Sequence, residues 1–536
     1  MKRNGMCPVC YLKQFFTPRS SVTLTCDFKK VLPDAPSAPI MGWSSWNTFR
    51  NEIDEKLILD TAKALKEKGL LDAGYRYINL DDNWHSSLRT SEGKLQGDLA
   101  RFPRGIRPLF EELNEMGFRC GLYSSNGTLT CEDLPASLHR EALDARTIAS
   151  FGAEYLKYDF CHNEKMSIYA PLVYGIEIFR KGNAPVFYEC KKARLDGTAR
   201  FMPDRYVKCG FHVSGLDKNG GSMTYDNVYA EEDGEYILTV CIRKKGRYDK
   251  VLAARIGDEL YLYDVPPQKR WNHTARFQKP VFLKKGLNTV TLFNPIGKAA
   301  DSAFLQYYTM AKELSAAAKE RPGEYKPIVF SVCEWGRNRP YKWAPLVGNM
   351  WRTTPDIRPI FPWIKIIYNH TVKLYKYASA GAWNDPDMLE VGNGKLTRNQ
   401  NIAHFSLWCM MNAPLVLGND IRSISEEVLS IVTQKTMLEI HSDPLYKPCK
   451  RIKKGKVDVL AKPLSDDRVA VLLFNKSKRE RIVHLDVDKV LSDPYIDLKH
   501  KDSYCVKEVW SGEEMNVTDE LNTKILGESV KVYIFG

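Results

Sequence analysis

The chain has 536 residues, 44% of them hydrophobic and 27% charged, with a formal net charge of +13. That length calls for two or three domains of soluble globular composition. No run of about eighteen apolar residues occurs, which excludes a membrane-spanning helix and leaves no membrane partner to expect. The Lys and Arg residues are scattered, and their densest runs (450–456 and 476–481) fall between strand-like segments. A solvated basic surface is therefore expected, not a nucleic-acid interface.

The 13 cysteines are odd in number and irregularly spaced, unlike the disulfide framework of a small secreted domain. The opening MKRNGMCPVCYLKQFF has no continuous apolar core and no small-residue cleavage site, so a cytoplasmic location is expected. Cys7 and Cys10 form a lone CPVC; with no second pair in the sequence they read as two chance thiols, not a zinc site.

Residues 1–40 read as an N-terminal extension, with strand-like alternation over 21–28 and a proline-rich linker over 33–39. From residue 41 a repeating pattern begins. Short strands are predicted at 41–47, 75–82, 118–124 and 154–159, separated by helices at 54–68, 106–116 and 142–151, two of them stopped by Gly69 and Gly117. The fourth strand, within EYLKYDFC, ends on Asp159, awkward in a core but natural at the open face of a barrel. The alternation then fails between about 164 and 300, where β-rich stretches at 236–243, 260–264 and 288–293 and a turn at 218–221 indicate an inserted β-sandwich. It resumes with a helix at 303–319 and strands at 327–333, 348–356, 377–387 and 414–418, with helices at 399–411 and 426–439. Strands alternating with helices predict an α/β fold, a (β/α)8 TIM barrel. Alternating strands at 457–461, 468–475, 481–487, 506–510 and 530–535 predict a C-terminal antiparallel β-sandwich. The expected domains are a barrel over 41–163 and 301–440, an insert over 164–300 and a sandwich over 441–536.

The predicted strand ends carry Asp81, Asp82, Lys157, Asp159, Glu334, Arg352, Asp356 and Asp387. So many carboxylates on one rim suit a polyhydroxylated ligand, because each accepts hydrogen bonds from neighbouring hydroxyls. Trp46, Trp335 and other tryptophans share these segments and offer flat faces to sugar rings. There is no glycine-rich phosphate loop, and no histidine is interleaved at metal-ligand spacing, so no catalytic metal and no organic cofactor are expected.

At these residues the chain resembles glycoside hydrolase family 27, the α-galactosidases of the GH-D clan. The matching motifs are MGWSSWNTF at Met41, LDDNW at Leu80, RFPRGI at Arg101, GLYSSNGTLTC at Gly121, YLKYD at Tyr155, CEWG at Cys333, NMWRTTPDI at Asn349 and GAWNDPDML at Gly381. VLAKPLSDDRVAVLLFN at Val459 is similar to the family's second domain. The resemblance implies a retaining exo-glycosidase with Asp159 as nucleophile and Asp356 as general acid and then base. Lys157 beside Asp159 would help keep it ionised.

The same resemblance assigns a sugar site. Asp81 and Asp82 match the pair on the 4- and 6-hydroxyls of galactose; relatives acting on β-L-arabinopyranosides tend to lose the second. Glu334 matches a position near the 2-substituent, where N-acetylgalactosaminidases carry small residues. Arg352 is similar to the residue on the 2-hydroxyl, Lys157 to that on the 3- and 4-hydroxyls and Trp46 to the stacking platform, while Tyr123, Trp335, Asp387 and Met388 line the pocket by analogy. Cys131 and Cys161 match a family disulfide, whereas Asn83 stands where many relatives have Cys. The resemblance thus implies hydrolysis of terminal α-D-galactosyl residues, with related retaining glycosidases and a catalytically silent sugar-binding protein as alternatives. A homo-oligomer is left open. The insert, with GGSMTYDNVYAEEDGEYILTV from Gly220 and RWNHTARFQKPVFLKKGLNTVTLF from Arg270, resembles family 35 carbohydrate-binding modules, which often hold calcium. Structural calcium in the insert and a sugar contact at Trp271 are the corresponding expectations.

Overall fold

The computed structural model describes residues 7–16, 19–24, 26–31, 36–217, 219–244, 248–266, 273–323, 326–496, 498 and 500–536. Trp271 lies outside them. Among the described residues no helix is long and apolar enough to cross a membrane. The chain divides into two compact units, one of residues 1–19, 30–163 and 307–536, the other of residues 20–29 and 164–306.

The first unit contains eight parallel strands: β1 (Met41–Ser44), β2 (Tyr77–Asn79), β3 (Arg119–Ser125), β4 (Tyr155–Asp159), β5 (Val329–Cys333), β6 (Met350–Arg352), β7 (Trp383–Asp385) and β8 (Leu415–Leu417). Their order in the sheet is β7-β6-β5-β4-β3-β2-β1-β8. A parallel bridge from Leu389, four residues past β7, to Leu417 of β8 joins the two ends of this curled sheet. This is the TIM-type architecture expected of strand–helix alternation.

Local chemistry fixes the helices between them. Asp54 caps Glu55–Glu67 by accepting the Leu57 N–H at 2.7 Å. Gly69 and Gly117, at φ 72° and 101°, turn the chain out of the helices before β2 and β3. Thr397 and Gln400 form a reciprocal capping box on Arg398–Met410. Two differences from the sequence reading concern helices. The expected single helix at 426–439 is two, Glu426–Val432 and Lys435–Ser442, because Ser425 and Gln434 each cap a separate start. A helix at Phe361–Thr371, with a proline in its first turn, fills the interval between β6 and β7. No element was expected there, because its β-branched run, IKII, weakens the helical signal.

At the C-terminus a six-stranded antiparallel sheet (Lys450–Lys453, Val457–Leu464, Arg468–Asn475, Ser529–Phe535, Tyr504–Glu508, Glu514–Val517) accompanies a two-stranded sheet of Arg481–Asp486 and Glu520–Ile525. Both contribute to one core, including Val471, Leu485, Leu521 and Phe535. This is the antiparallel sandwich.

The second unit is a β-sandwich of its own, with one five-stranded and one six-stranded sheet. Their inner faces share a core that includes Val173, Ile176, Leu238, Val240, Leu252 and Val290. Its strands begin at Leu172–Phe179. Among the described residues of 21–28 no strand forms. Leu24 makes one isolated antiparallel bridge to Ile296, the Thr23 N–H donates to Asp301 at 2.8 Å, and Phe28 packs edge-on against Phe304. Alternation alone cannot make a strand where, among the described residues, one finds a ladder partner.

Gly42 shows how tightly β1 and β2 approach: a Cβ there would stand 2.2 Å from the Tyr77 carbonyl oxygen. Gly42→Ala is expected to cost at least about 1–3 kcal/mol through overpacking. Thermal unfolding followed by circular dichroism measures this, and an unchanged melting temperature contradicts the close approach.

Candidate active site

In β4 the side chains alternate between two environments, as strand geometry requires. Tyr158 packs against Tyr307 and Phe330, at ring-centroid distances of 5.6 Å each. Tyr155, Lys157 and Asp159 point the other way, into two connected hollows at the carboxyl ends of the strands. The inner one is lined by Asp81, Tyr123, Lys157, Cys333, Arg352 and Asp385 among others. The outer cleft, about 750 Å³, contains both Asp159 and Asp356, with Trp46, Asp81, Asp82, Tyr123, Lys157, Arg352, Asp387 and Met388. Ten of the twelve sequence-predicted catalytic and sugar-site residues therefore meet in one cleft.

Asp159 is held from two sides. Tyr123 Oη donates to Oδ2 at 3.1 Å, and the Phe160 N–H donates to Oδ1 at 2.8 Å. Burial pushes its carboxyl up to about 6; the Lys157 ammonium opposes that rise and the Asp356 charge adds to it. Burial alone would discharge Lys157, but Asp81 and Asp159 outweigh it and hold the ammonium well above its ordinary range. Lys157 Nζ donates to Asp81 Oδ2 at 2.7 Å, and the Asp81 N–H is fixed by Ser45 Oγ at 3.0 Å. Asp82 accepts from the backbone of Asn83 and Glu132, at 2.8 and 3.0 Å, and burial raises it to about 7.

Across the cleft, Arg352 organises the other acids. Its Nη2 lies 3.0 Å from Asp356 Oδ1 and 2.8 Å from Asp387 Oδ2. Asp387 adopts φ 83° and also accepts the Ile357 N–H at 2.7 Å, which ties the segment after β7 to the loop carrying Asp356. Asp385, at the end of β7, is raised to about 6 by burial against the opposing charge of Arg352.

Two expected residues stand elsewhere. Glu334 is 0% exposed, and both its oxygens accept from the Asn338 N–H, at 2.8 and 2.9 Å. Asn338 Nδ2 adds a third bond at 2.6 Å, so the carboxylate closes its own loop and lines neither hollow. Cys333, its neighbour, lines the inner hollow instead. Trp335, at φ 56°, is buried edge-on against Phe160 at 5.9 Å and likewise lines neither. Cys131 and Cys161 form a disulfide, Cα–Cα 5.2 Å, between the loops that follow β3 and β4.

One wall of the cleft was not legible in the sequence. Helix Pro8–Phe16 contributes Tyr11 and Phe15 to the lining. Gln14, on the same helix, donates from Nε2 to Asp356 Oδ2 at 2.7 Å and accepts the Asp356 N–H at 3.1 Å. The available signals were Pro8 at the first helical position and paired aromatics at helical spacing.

A parallel barrel with paired acids and cations at its carboxyl rim and a C-terminal β-sandwich defines a glycoside-hydrolase-type protein. Sequence comparison makes this specific. The chain belongs to the family described as alpha galactosidase A, whose profile matches residues 38–202 and 301–443, and the profile of the alpha galactosidase C-terminal beta sandwich domain matches residues 454–535. The chain is 30% identical to alpha-galactosidase 2 of Arabidopsis thaliana over 82% of this chain and 76% of that one. It is 28% identical to alpha-galactosidase A of Cellvibrio japonicus over 92% and 91%. The crystal structure of alpha-galactosidase I from Mortierella vinacea superposes with a TM-score of 0.65 at 23% identity, covering 93% of this chain and 97% of that one, which supports the fold.

Arg352 is the counter-ion on which the buried Asp387 depends. Arg352→Met should destabilise the protein by about 3–5 kcal/mol by leaving that charge unpaired. Burial raises the carboxyl of Asp387, so the deficit should shrink as the pH falls and the group protonates. Melting temperatures of both proteins between pH 5 and 8 test this; a pH-independent difference contradicts it.

Proposed function

We propose that the protein is a retaining exo-α-galactosidase that releases terminal α-D-galactosyl residues from oligosaccharides or glycans. The observation that carries the reading is the meeting of Asp159 and Asp356 in one cleft whose polar lining includes Asp81, Asp82, Lys157, Arg352 and Asp387. In this reading the Asp159 carboxylate attacks the anomeric carbon and forms a covalent glycosyl ester, while Asp356 protonates the departing glycosidic oxygen. Asp356 then takes a proton from water as that water displaces Asp159, and the anomeric configuration is retained.

The surroundings of Asp159 support its role. With its carboxyl at about 6, Asp159 is ionised at neutral pH, and Lys157 and Tyr123 stabilise that charge. Asp356 is part-exposed at the mouth, where a leaving group would depart. Asp81 and Asp82 offer acceptors side by side, and the presence of the second favours a sugar with a 6-hydroxymethyl group over an arabinopyranoside. Trp46 at the cleft edge offers an apolar face to the ring.

On an α-galactoside with a poor leaving group, Asp356→Asn should lower kcat by about 10²–10⁴-fold, and Asp159→Asn by more. Wild-type turnover in either variant overturns the assignment, as does an inverted product anomer by NMR. A panel of aryl glycosides separates galactosides from arabinopyranosides and glucosides.

The pH profile gives a further test. A nucleophile must be deprotonated, and burial has raised Asp159 to about 6. kcat/KM should therefore fall as the pH drops through about 6, not near 4 as for an exposed aspartate. A flat profile down to pH 5 contradicts this role for Asp159.

A further inference from the structure

Helix Pro8–Phe16 precedes the segments matched by the family profiles. Its CPVC sequence puts Cys7 and Cys10 three residues apart, on one side of the first turn. The Cys7 N–H donates to the Cys131 carbonyl at 2.9 Å, and Cys10, 1% exposed, has its sulfur 3.4 Å from the donating His162 N–H. His162 lies three residues beyond Asp159, on the loop that follows β4, and adopts φ 49°. One ring nitrogen of His162 and the two sulfurs all lie within 4.8 Å of one another. Asp133 places a carboxylate oxygen 3.1 Å from His162 Nε2.

We propose that Cys7, Cys10 and His162 bind one zinc-class divalent ion and clamp the N-terminal helix to the loop after β4. Two sulfurs and an imidazole are a borderline-soft donor set, suited to zinc and unsuited to calcium or magnesium. Zinc bonds of about 2.3 Å to sulfur and about 2.0 Å to nitrogen bring three tetrahedral ligands to about 3.5–3.8 Å apart, a small contraction of the spacing here. Binding releases the two thiol protons to solvent, and the fourth position is left to water. The lone CPVC looked like chance thiols because its third ligand is supplied by the fold, from the far side of four barrel strands. The ion has no part in the chemistry at Asp159. Its effect is to fix the helix whose Gln14 grips Asp356 and whose Tyr11 and Phe15 line the cleft.

The test uses the full chain, reduced, loaded with zinc and desalted, with metal measured by mass spectrometry. About one equivalent is expected, together with a sulfur-to-cobalt charge-transfer band after exchange with cobalt(II). Cys7→Ser, Cys10→Ser and His162→Ala should each lose at least tenfold in zinc affinity, while Cys505→Ser, at an exposed thiol, and Gln14→Ala should load like the wild type. Circular dichroism checks that each variant is folded. A zinc-free wild type after loading overturns the proposal, as does a cobalt spectrum without the thiolate band. Full loading of folded Cys10→Ser, or a Cys7–Cys10 disulfide that persists under the loading conditions, overturns it too. The readout is metal content, so it stands or falls independently of glycosidase activity.

Discussion

Lys157 is the charge on which the barrel mouth depends. Asp81 and Asp159 are buried there, and carboxylates taken out of water without a cation would protonate or push the strand ends apart. The ammonium rises from the same strand as Asp159, two residues earlier, so strand alternation delivers both to one face. Arg352 repeats the arrangement across the cleft with Asp356 and Asp387. Two cations thus let an acidic rim exist, and the rim is what can hold a polyhydroxylated ligand.

Such pairing also separates the roles of chemically identical groups. Asp159 is buried, held by Tyr123 and a backbone N–H, and raised to about 6. Asp356 is part-exposed and held by an arginine and a glutamine. The two carboxyls thus meet different surroundings, one enclosed and the other open to solvent. The disulfide between Cys131 and Cys161 braces the loops beside Asp159, where its precise placement matters most.

Much of this was legible from residues alone. The strand–helix alternation from Met41 and its collapse near residue 164 reflect real boundaries in hydrogen bonding, and the acids at strand ends fall where a barrel puts its chemistry. What escaped has physical causes. Helix Phe361–Thr371 was hidden by β-branched residues whose helical state is imposed by packing. Among the described residues of the alternating stretch 21–28, Leu24 alone pairs, in an isolated bridge. Glu334 sits in a matching motif, yet its carboxylate is consumed by Asn338 four residues away, and a linear motif does not record which way a side chain turns. Helix Pro8–Phe16 was missed because its partners, Cys131, His162, Asp356 and Arg358, are all more than a hundred residues distant.

Gln14 and its two aromatic neighbours give the barrel a wall that is not made by the barrel. In a (β/α)8 enzyme, preference for the group leaving the sugar is ordinarily written into the loops after the strands, where any change also disturbs the acids those loops carry. Here that preference can be edited in a short leading segment instead. Substitutions at Tyr11 or Phe15 would reshape the outer end of the cleft while every strand end kept its register, so selectivity and chemistry can diversify on separate parts of the chain.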